Sequence, residues 1–164
     1  MPNQTESDKI YLQMAKLRAS SSKARRLKVG CLIVKNNQII SEGYNGTPSG
    51  RDNNCENEII TCNEIDTFAP SCKNDWTYNS SSQEWLRLET KKEVLHAESN
   101  ALMKLTRSTN SSEGATLYLT HSPCFECSKL IYQAGISRVV YEVDYRNSDG
   151  VNFLKELGLI VNKV

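Results

Sequence analysis

The chain alternates between helical and extended hydrophobic spacing. Ile10, Met14 and Leu17 recur at i, i+4 and i+7 behind the capping residues Thr5, Ser7 and Asp8, which predicts a first helix over 8–20. Residues 29–34 form a continuous apolar run and residues 38–44 a second extended segment. Asn36-Asn37 between them is a turn pair, so the two segments read as a hairpin. Leu95, Leu102 and Leu105 place an apolar stripe on a helix over 93–105. The β-branched and aromatic residues of 116–120 suit a strand. A further helix runs to Ala134, followed by a strand at 137–143, a helix at 149–157 and a strand at 159–164. This order, α-β-β-α-β-α-β-α-β, implies an α/β fold with a mixed sheet under packed helices.

The stretch 47–92 breaks the pattern. Turn residues (Thr47-Pro48-Ser49-Gly50, Ala69-Pro70-Ser71, Asn79-Ser80-Ser81-Ser82) mix with polar side chains, as in an insertion. Loops of this length are rare in compact domains, and Trp76, Tyr78, Trp85, Leu86 and Leu88 are apolar anchors, so part of it is expected to pack down or form a short helix. The 164 residues are expected to make one domain.

Chemistry concentrates at two places. His96-Ala97-Glu98 and, further on, Pro123-Cys124-Phe125-Glu126-Cys127 supply one imidazole, two thiols and a carboxylate. Three nitrogen and sulfur ligands, His96, Cys124 and Cys127, match a catalytic zinc site that leaves its fourth position to water. Such an ion lowers the pKa of its water from about 15.7 toward roughly 7. Glu98 is then the proton carrier and not a ligand. Residues two apart on a helix point about 200° apart, so His96 and Glu98 can share a site only where a helix begins. Ser122-Pro123 is likewise a helix-start signal, a cap followed by an early proline. A closed structural zinc would need a fourth Cys or His ligand in addition to these three.

Net charge is +1, which disfavours a nucleic-acid backbone as the main partner and favours a small substrate. The local exception is Lys23-Ala24-Arg25-Arg26-Leu27-Lys28, four positive charges in six residues, readable as a solvated turn or as a phosphate pocket. Residues 1–8 lack the basic and apolar regions of a signal peptide and no stretch approaches transmembrane length, so a cytosolic location without membrane association is expected. Six cysteines then suggest metal binding or free thiols before disulfides. Cys55, Cys62 and Cys72 are candidates for a second, structural zinc, against the alternative of unpaired thiols.

The segments Gly43-Tyr44-Asn45-Gly46-Thr47-Pro48-Ser49-Gly50, His96-Ala97-Glu98-Ser99-Asn100-Ala101, Ser122-Pro123-Cys124-Phe125-Glu126-Cys127 and Gln133-Ala134-Gly135-Ile136 together resemble the deoxycytidylate deaminase family, in its compact phage-type form. The His-x-Glu and Pro-Cys-x-x-Cys pair is shared by the zinc deaminases of cytosine and adenine. The resemblance implies a cytidine deaminase-like three-layer α-β-α sandwich with a five-stranded mixed sheet. It implies hydrolysis of dCMP to dUMP and ammonia for thymidylate synthesis, in a homohexamer activated by dCTP with Mg²⁺ and inhibited by dTTP. It assigns Asn45 to the sugar, the backbone at Ala97 and Ser122 to the base edge, and Ser22, Lys23 and Tyr145 to the 5'-phosphate, with Arg26 as a further candidate. Tyr44, Gly46 and Arg51 fall near the family's effector site. Larger phage relatives hold a second zinc through a cysteine after the serine-lysine pair, where this chain has Ala24. Two other readings compete: a tRNA adenosine deaminase, which should be more basic, and a non-catalytic zinc-stabilised nucleotide-binding module, which has no use for Glu98.

Overall fold

The computed structural model describes residues 4–61, 76–82 and 84–164. Its elements are α1 (Gln4–Ala19), β1 (Gly30–Lys35), β2 (Gln38–Tyr44), β3 (Glu56–Thr61), β4 (Trp76–Asn79), β5 (Glu84–Thr90), α2 (Ala97–Leu105), β6 (Thr116–His121), α3 (Phe125–Gln133), β7 (Arg138–Val143), α4 (Asp149–Glu156) and β8 (Ile160–Lys163). The main sheet has five strands in the order β2-β1-β6-β7-β8. β1 pairs antiparallel with β2 and β6, whereas β6-β7 and β7-β8 are parallel, so the sheet is mixed.

Burial on both faces explains the unbroken apolar run of β1. Cys31 and Ile33 point, with Leu117, Leu119 and Val139, into a core shared with Ala101 and Leu102 of α2, Ile131 of α3 and Leu154 of α4. Leu32, Val34, Tyr118 and Val140 point the other way, onto Leu12 and Ala15 of α1. The period-2 alternation thus sorts side chains between two helical layers, giving the three-layer α-β-α sandwich. The β1-β2 turn is made by Asn36 and Asn37, both at positive φ (51° and 60°), the left-handed pair that a tight hairpin needs.

Three expectations are corrected. The Ile10, Met14 and Leu17 stripe of α1 is exposed, and the helix buries Asp8, Leu12, Ala15 and Ala19 instead. The reason is electrostatic. Asp8 receives two hydrogen bonds from the Arg138 guanidinium, at 2.8 and 2.7 Å, and one each from Tyr118 Oη at 2.8 Å and Gln4 Nε2 at 3.0 Å, so a carboxylate occupies the core-facing side. Second, the order of elements gains strands: in the insertion, expected to pack down or form a short helix, the described residues 56–61, 76–79 and 84–90 form β3, β4 and β5 of a separate antiparallel sheet. Third, α2 begins at Ala97 and not near Glu93, and β2 packs against its first turn. At Gly43 any Cβ would overlap the Ala97 carbonyl oxygen, so only glycine lets strand and helix approach this closely.

Candidate active site

Both motifs stand at helix starts. His96 is the N-cap of α2 and Cys124 the N-cap of α3, each with extended backbone and no side-chain capping hydrogen bond, which leaves the imidazole and thiol free for other use. The expected cap at Ser122 is therefore displaced by two residues. Glu98 lies in the first turn of α2 and Cys127 in that of α3. The ligand atoms of His96, Cys124 and Cys127 lie within 4.8 Å of one another, the one such group of three metal-binding side chains among the described residues.

The donor set fits zinc on distances alone. His96 Nδ1 is 3.5 Å from Cys124 Sγ and 3.4 Å from Cys127 Sγ. A tetrahedral zinc with ordinary Zn–S and Zn–N bonds holds a nitrogen and a sulfur about 3.6 Å apart. Of the two thiols, Cys124 is the one shifted toward the thiolate that ligates metal. A hydrogen bond from Cys127, opposed by burial and helped by His96, brings Cys124 down to about 4, while Cys127 keeps its proton far more tightly. Glu98 is buried at 4 % exposure, and that burial raises its carboxyl above the ordinary value.

These groups open onto a cavity of about 280 Å³. His96, Glu98 and Cys124 form one part of its wall; Asn45, Ala97, Ser122, Arg26 and Tyr145 also line it. Asn45 is held by its own amide: Oδ1 accepts from Val29 N and Nδ2 donates to the Leu27 carbonyl, both at 2.8 Å. Each of those atoms keeps capacity for one more hydrogen bond. Ser122 donates its N–H to the Val143 carbonyl and accepts the Tyr145 N–H on Oγ, both at 2.8 Å, which fixes Tyr145 against the cavity.

Two expected phosphate residues stand elsewhere. Ser22 is fully buried and bridges backbone, donating to the Asn45 carbonyl at 2.7 Å and accepting from Ala24 N at 3.2 Å. Lys23 lines a second cavity of about 390 Å³ together with Tyr44, Gly46 and Arg51. The basic run splits because its backbone turns: Arg26 faces the first cavity, Lys23 the second, and Arg25 pairs with Glu58 of β3. Of the second-zinc candidates, Cys55 is buried with its thiol on the Asn53 carbonyl, and Cys62 and Cys72 lie outside the described residues.

Sequence reasoning passed over Glu56, Thr90, His121 and Arg146, which line the first cavity. His121 directly precedes Ser122-Pro123, and Arg146 directly follows Tyr145; both were legible as neighbours of chosen residues. Burial lowers the pKa of His121, so it is neutral near pH 7. Glu56 and Thr90 belong to the small sheet, where they face each other across β3 and β5, and no spacing announced them.

A His-Cys-Cys donor triangle at two helix starts, beside a buried glutamate in a nucleotide-sized cavity, defines the class of hydrolytic zinc deaminases. The sequence profile of the cytidine and deoxycytidylate deaminase zinc-binding region matches residues 5–143, and the chain belongs to that family. It is 38 % identical to the deoxycytidylate deaminase of enterobacteria phage T2, over 93 % of this chain and 89 % of that protein, and 35 % identical to that of phage T4, over 93 % and 87 %. Among solved structures it resembles the dCMP deaminase of cyanophage S-TIM5 in complex with dCMP and dUMP, at 36 % identity and a TM-score of 0.75, covering 100 % of this chain and 99 % of that one.

Proposed function

We propose that this protein hydrolyses dCMP to dUMP and ammonia and so supplies dUMP for thymidylate synthesis. The observation that carries the reading is the lining of the first cavity: His96 and Cys124 of the metal-ligating triad, with Glu98, share one wall with the cations Arg26 and Arg146 and with Asn45. That is the layout for an amino-bearing ring attached to a sugar and a dianionic phosphate. The phage relatives named as deoxycytidylate deaminases, and the cyanophage neighbour holding dCMP and dUMP, support the same substrate.

His96, Cys124 and Cys127 would hold the zinc, which supplies water acidic enough to lose a proton at neutral pH. Glu98 takes that proton and delivers it to ring nitrogen 3 as the water oxygen adds to carbon 4. It then moves the second proton from the new hydroxyl to the amino group, the bond from carbon 4 to nitrogen breaks, and ammonia leaves as the carbonyl forms. Burial suits Glu98 to this traffic, because a raised pKa narrows the gap between its charged and neutral forms. The first-turn N–H of Ala97 and the Ser122 backbone hold the base edge, the spare capacity of the Asn45 amide meets the sugar, and Arg26, Tyr145 and Arg146 meet the phosphate. Ser22 acts at one remove, by holding the Asn45 backbone.

Regulation by dCTP with Mg²⁺ as activator and dTTP as inhibitor, within a homohexamer, completes the proposal. The second cavity supports it, since Lys23, Arg51 and Lys104 bring three cations to Tyr44 and Gly46. The test is to incubate zinc-loaded protein with dCMP, dCTP, deoxycytidine and a tRNA anticodon stem, with and without added effector triphosphates, and follow deamination. Turnover of the RNA without turnover of dCMP would overturn the assignment, and activity indifferent to dCTP and dTTP would overturn the regulation.

A further inference from the structure

Arg26 meets the small sheet through two of its residues. Glu56 at the start of β3 is 2 % exposed, and its Oε1 accepts the backbone N–H groups of Arg25 and Arg26 at 3.0 and 3.3 Å. Thr90 at the end of β5 stands opposite Glu56 in the strand register, and its Oγ1 accepts a hydrogen bond from Arg26 Nη1 at 3.3 Å. One residue thus fixes the backbone from which the Arg26 side chain departs, the other fixes the guanidinium, and all three line the first cavity. The neighbouring Arg25 is held differently. Its guanidinium pairs with Glu58, whose carboxylate offsets its charge. A hydroxyl carries no charge, so Thr90 orients Arg26 without neutralising it. A guanidinium has five N–H donors, and among the described residues Arg26 uses one of them, on Thr90. Its Nε and Nη2 hydrogens have no partner there, and these are a pair that can meet two oxygens of a phosphate in parallel.

The dCMP reading, on which this inference rests, brings the 5'-phosphate to Arg26. We propose that Thr90 is a positioning residue for that contact: by holding the Arg26 guanidinium in place before substrate arrives, it makes the cavity select the 5'-phosphorylated nucleotide over the nucleoside. The small sheet then has a task in the reaction, since its β3-β5 pair aims the cation. Without this latch the arginine side chain is ordered only when phosphate binds, and ordering one long side chain weakens binding about two- to tenfold. The phosphate does not change during deamination, so it is held equally in the ground state and the transition state. Loss of such uniform binding raises KM and leaves kcat alone.

The experiment measures kcat and KM of the zinc-loaded enzyme on dCMP and on deoxycytidine, in wild type, Thr90→Val and Thr90→Ser. Valine matches threonine in shape but lacks the acceptor, and Thr90 is exposed, so the substitution leaves the core untouched. Thr90→Val should raise KM for dCMP about two- to tenfold, with kcat on dCMP and kcat/KM on deoxycytidine unchanged. Thr90→Ser keeps the hydroxyl and should keep the wild-type ratio of dCMP to deoxycytidine kcat/KM. Where deoxycytidine turns over too slowly to measure, calorimetric affinities of dUMP and deoxyuridine supply the ratio. In an Arg26→Ala background Thr90→Val should not move the ratio further, because the two residues act through one contact. The same ratio in wild type and Thr90→Val, an equal loss on both substrates, a Thr90→Ser ratio as low as that of Thr90→Val, or additive effects in the double variant overturns the proposal and leaves Thr90 as a brace for the loop. Wild-type protein that turns over no dCMP overturns the functional reading and the proposal with it, whereas active wild type with an unmoved ratio overturns the proposal alone.

Discussion

Asp8→Asn should destabilise the protein far more than a change of one charge on a helix surface. The Asp8 side chain is 5 % exposed and its Arg138 partner 18 %, with two charge-assisted hydrogen bonds of 2.7–2.8 Å between them. Neutralising Asp8 leaves the guanidinium buried and underpaired, and breaking a buried pair from one side costs about 3–5 kcal/mol. A domain of this size loses about 2–4 °C in Tm per kcal/mol, so the expected drop is about 6–20 °C. The pair joins α1 to β7, and α1 leads into the loop at 20–29 that walls the cavity, yet no atom of Asp8 lines that cavity. Activity at low temperature should therefore survive. Replacing the whole cluster by apolar groups (Asp8→Leu, Arg138→Met and Tyr118→Phe together) should recover most of the loss, because the desolvation cost disappears with the charges. The pH dependence has a definite sign. Burial opposes ionisation of Asp8, but the hydrogen bonds from Arg138, Gln4 and Tyr118 outweigh it and hold the folded-state pKa below the ordinary value. The stabilisation is present above the unfolded pKa of about 3.9 and disappears as pH falls through the folded value, so wild type and Asp8→Asn should converge in acid. Urea melts between pH 3 and 7 measure this. A Tm loss under about 2 °C at pH 7, typical of an exposed pair, would refute the electrostatic account of why α1 turns its carboxylate inward.

Glu98→Gln should lower kcat on dCMP by about 10²–10⁴ while zinc content by atomic absorption stays unchanged; activity within tenfold of wild type would remove Glu98 from proton transfer. Cys127→Ser should abolish stoichiometric zinc binding, and chelation of the wild type should lower both activity and thermal stability; zinc that survives the substitution would break the ligand assignment. Gly43→Ala forces β2 away from Ala97 and should cost about 1–3 kcal/mol as an overpacked contact, with weaker zinc affinity because His96 adjoins the displaced turn; an unchanged melt would refute the close-approach argument. Tyr145→Phe and Arg26→Ala should reduce the ratio of dCMP to deoxycytidine activity, whereas Lys23→Ala, facing the second cavity, should leave that ratio alone and blunt the response to dCTP.

What could be read from the sequence was whatever depends on local spacing. The Asn36-Asn37 turn, the doubly buried run of β1 and the two helix-start motifs each encode their geometry within a few residues. The residues that escaped reading depend on partners far along the chain. Asp8 faces inward because Arg138 waits on β7, and without that partner the Ile10, Met14 and Leu17 stripe is the better core face. The strands of the small sheet alternate only weakly between apolar and polar residues, as in Glu56-Asn57-Glu58-Ile59-Ile60 and Glu84-Trp85-Leu86-Arg87-Leu88, so composition read them as insertion. The basic run from Lys23 to Lys28 shows the same limit, since one turn of backbone divided its charges between two cavities.

That division bears on how one short loop could serve both the substrate and the effector of the proposed reading. Asn45 fastens Leu27 and Val29 with its side chain, Ser22 fastens Asn45 through its carbonyl, and Glu56 fastens Arg25 and Arg26 through their N–H groups. Gly46, directly after Asn45, bridges Leu95 next to His96 and also lines the second cavity. A ligand that shifts Gly46 or Lys23 therefore pulls on the backbone that holds Arg26 and His96. Hydrogen bonds and the peptide units between them make this path, and under the proposed regulation it would give effector binding a mechanical route to the ends of the site at Arg26 and His96. Coupling along it requires the loop to have two discrete arrangements. Ser22→Ala, which cuts the route at Asn45 without touching either cavity, should weaken the dCTP response more than it weakens basal turnover. Equal loss of both would mean that the loop is only a scaffold.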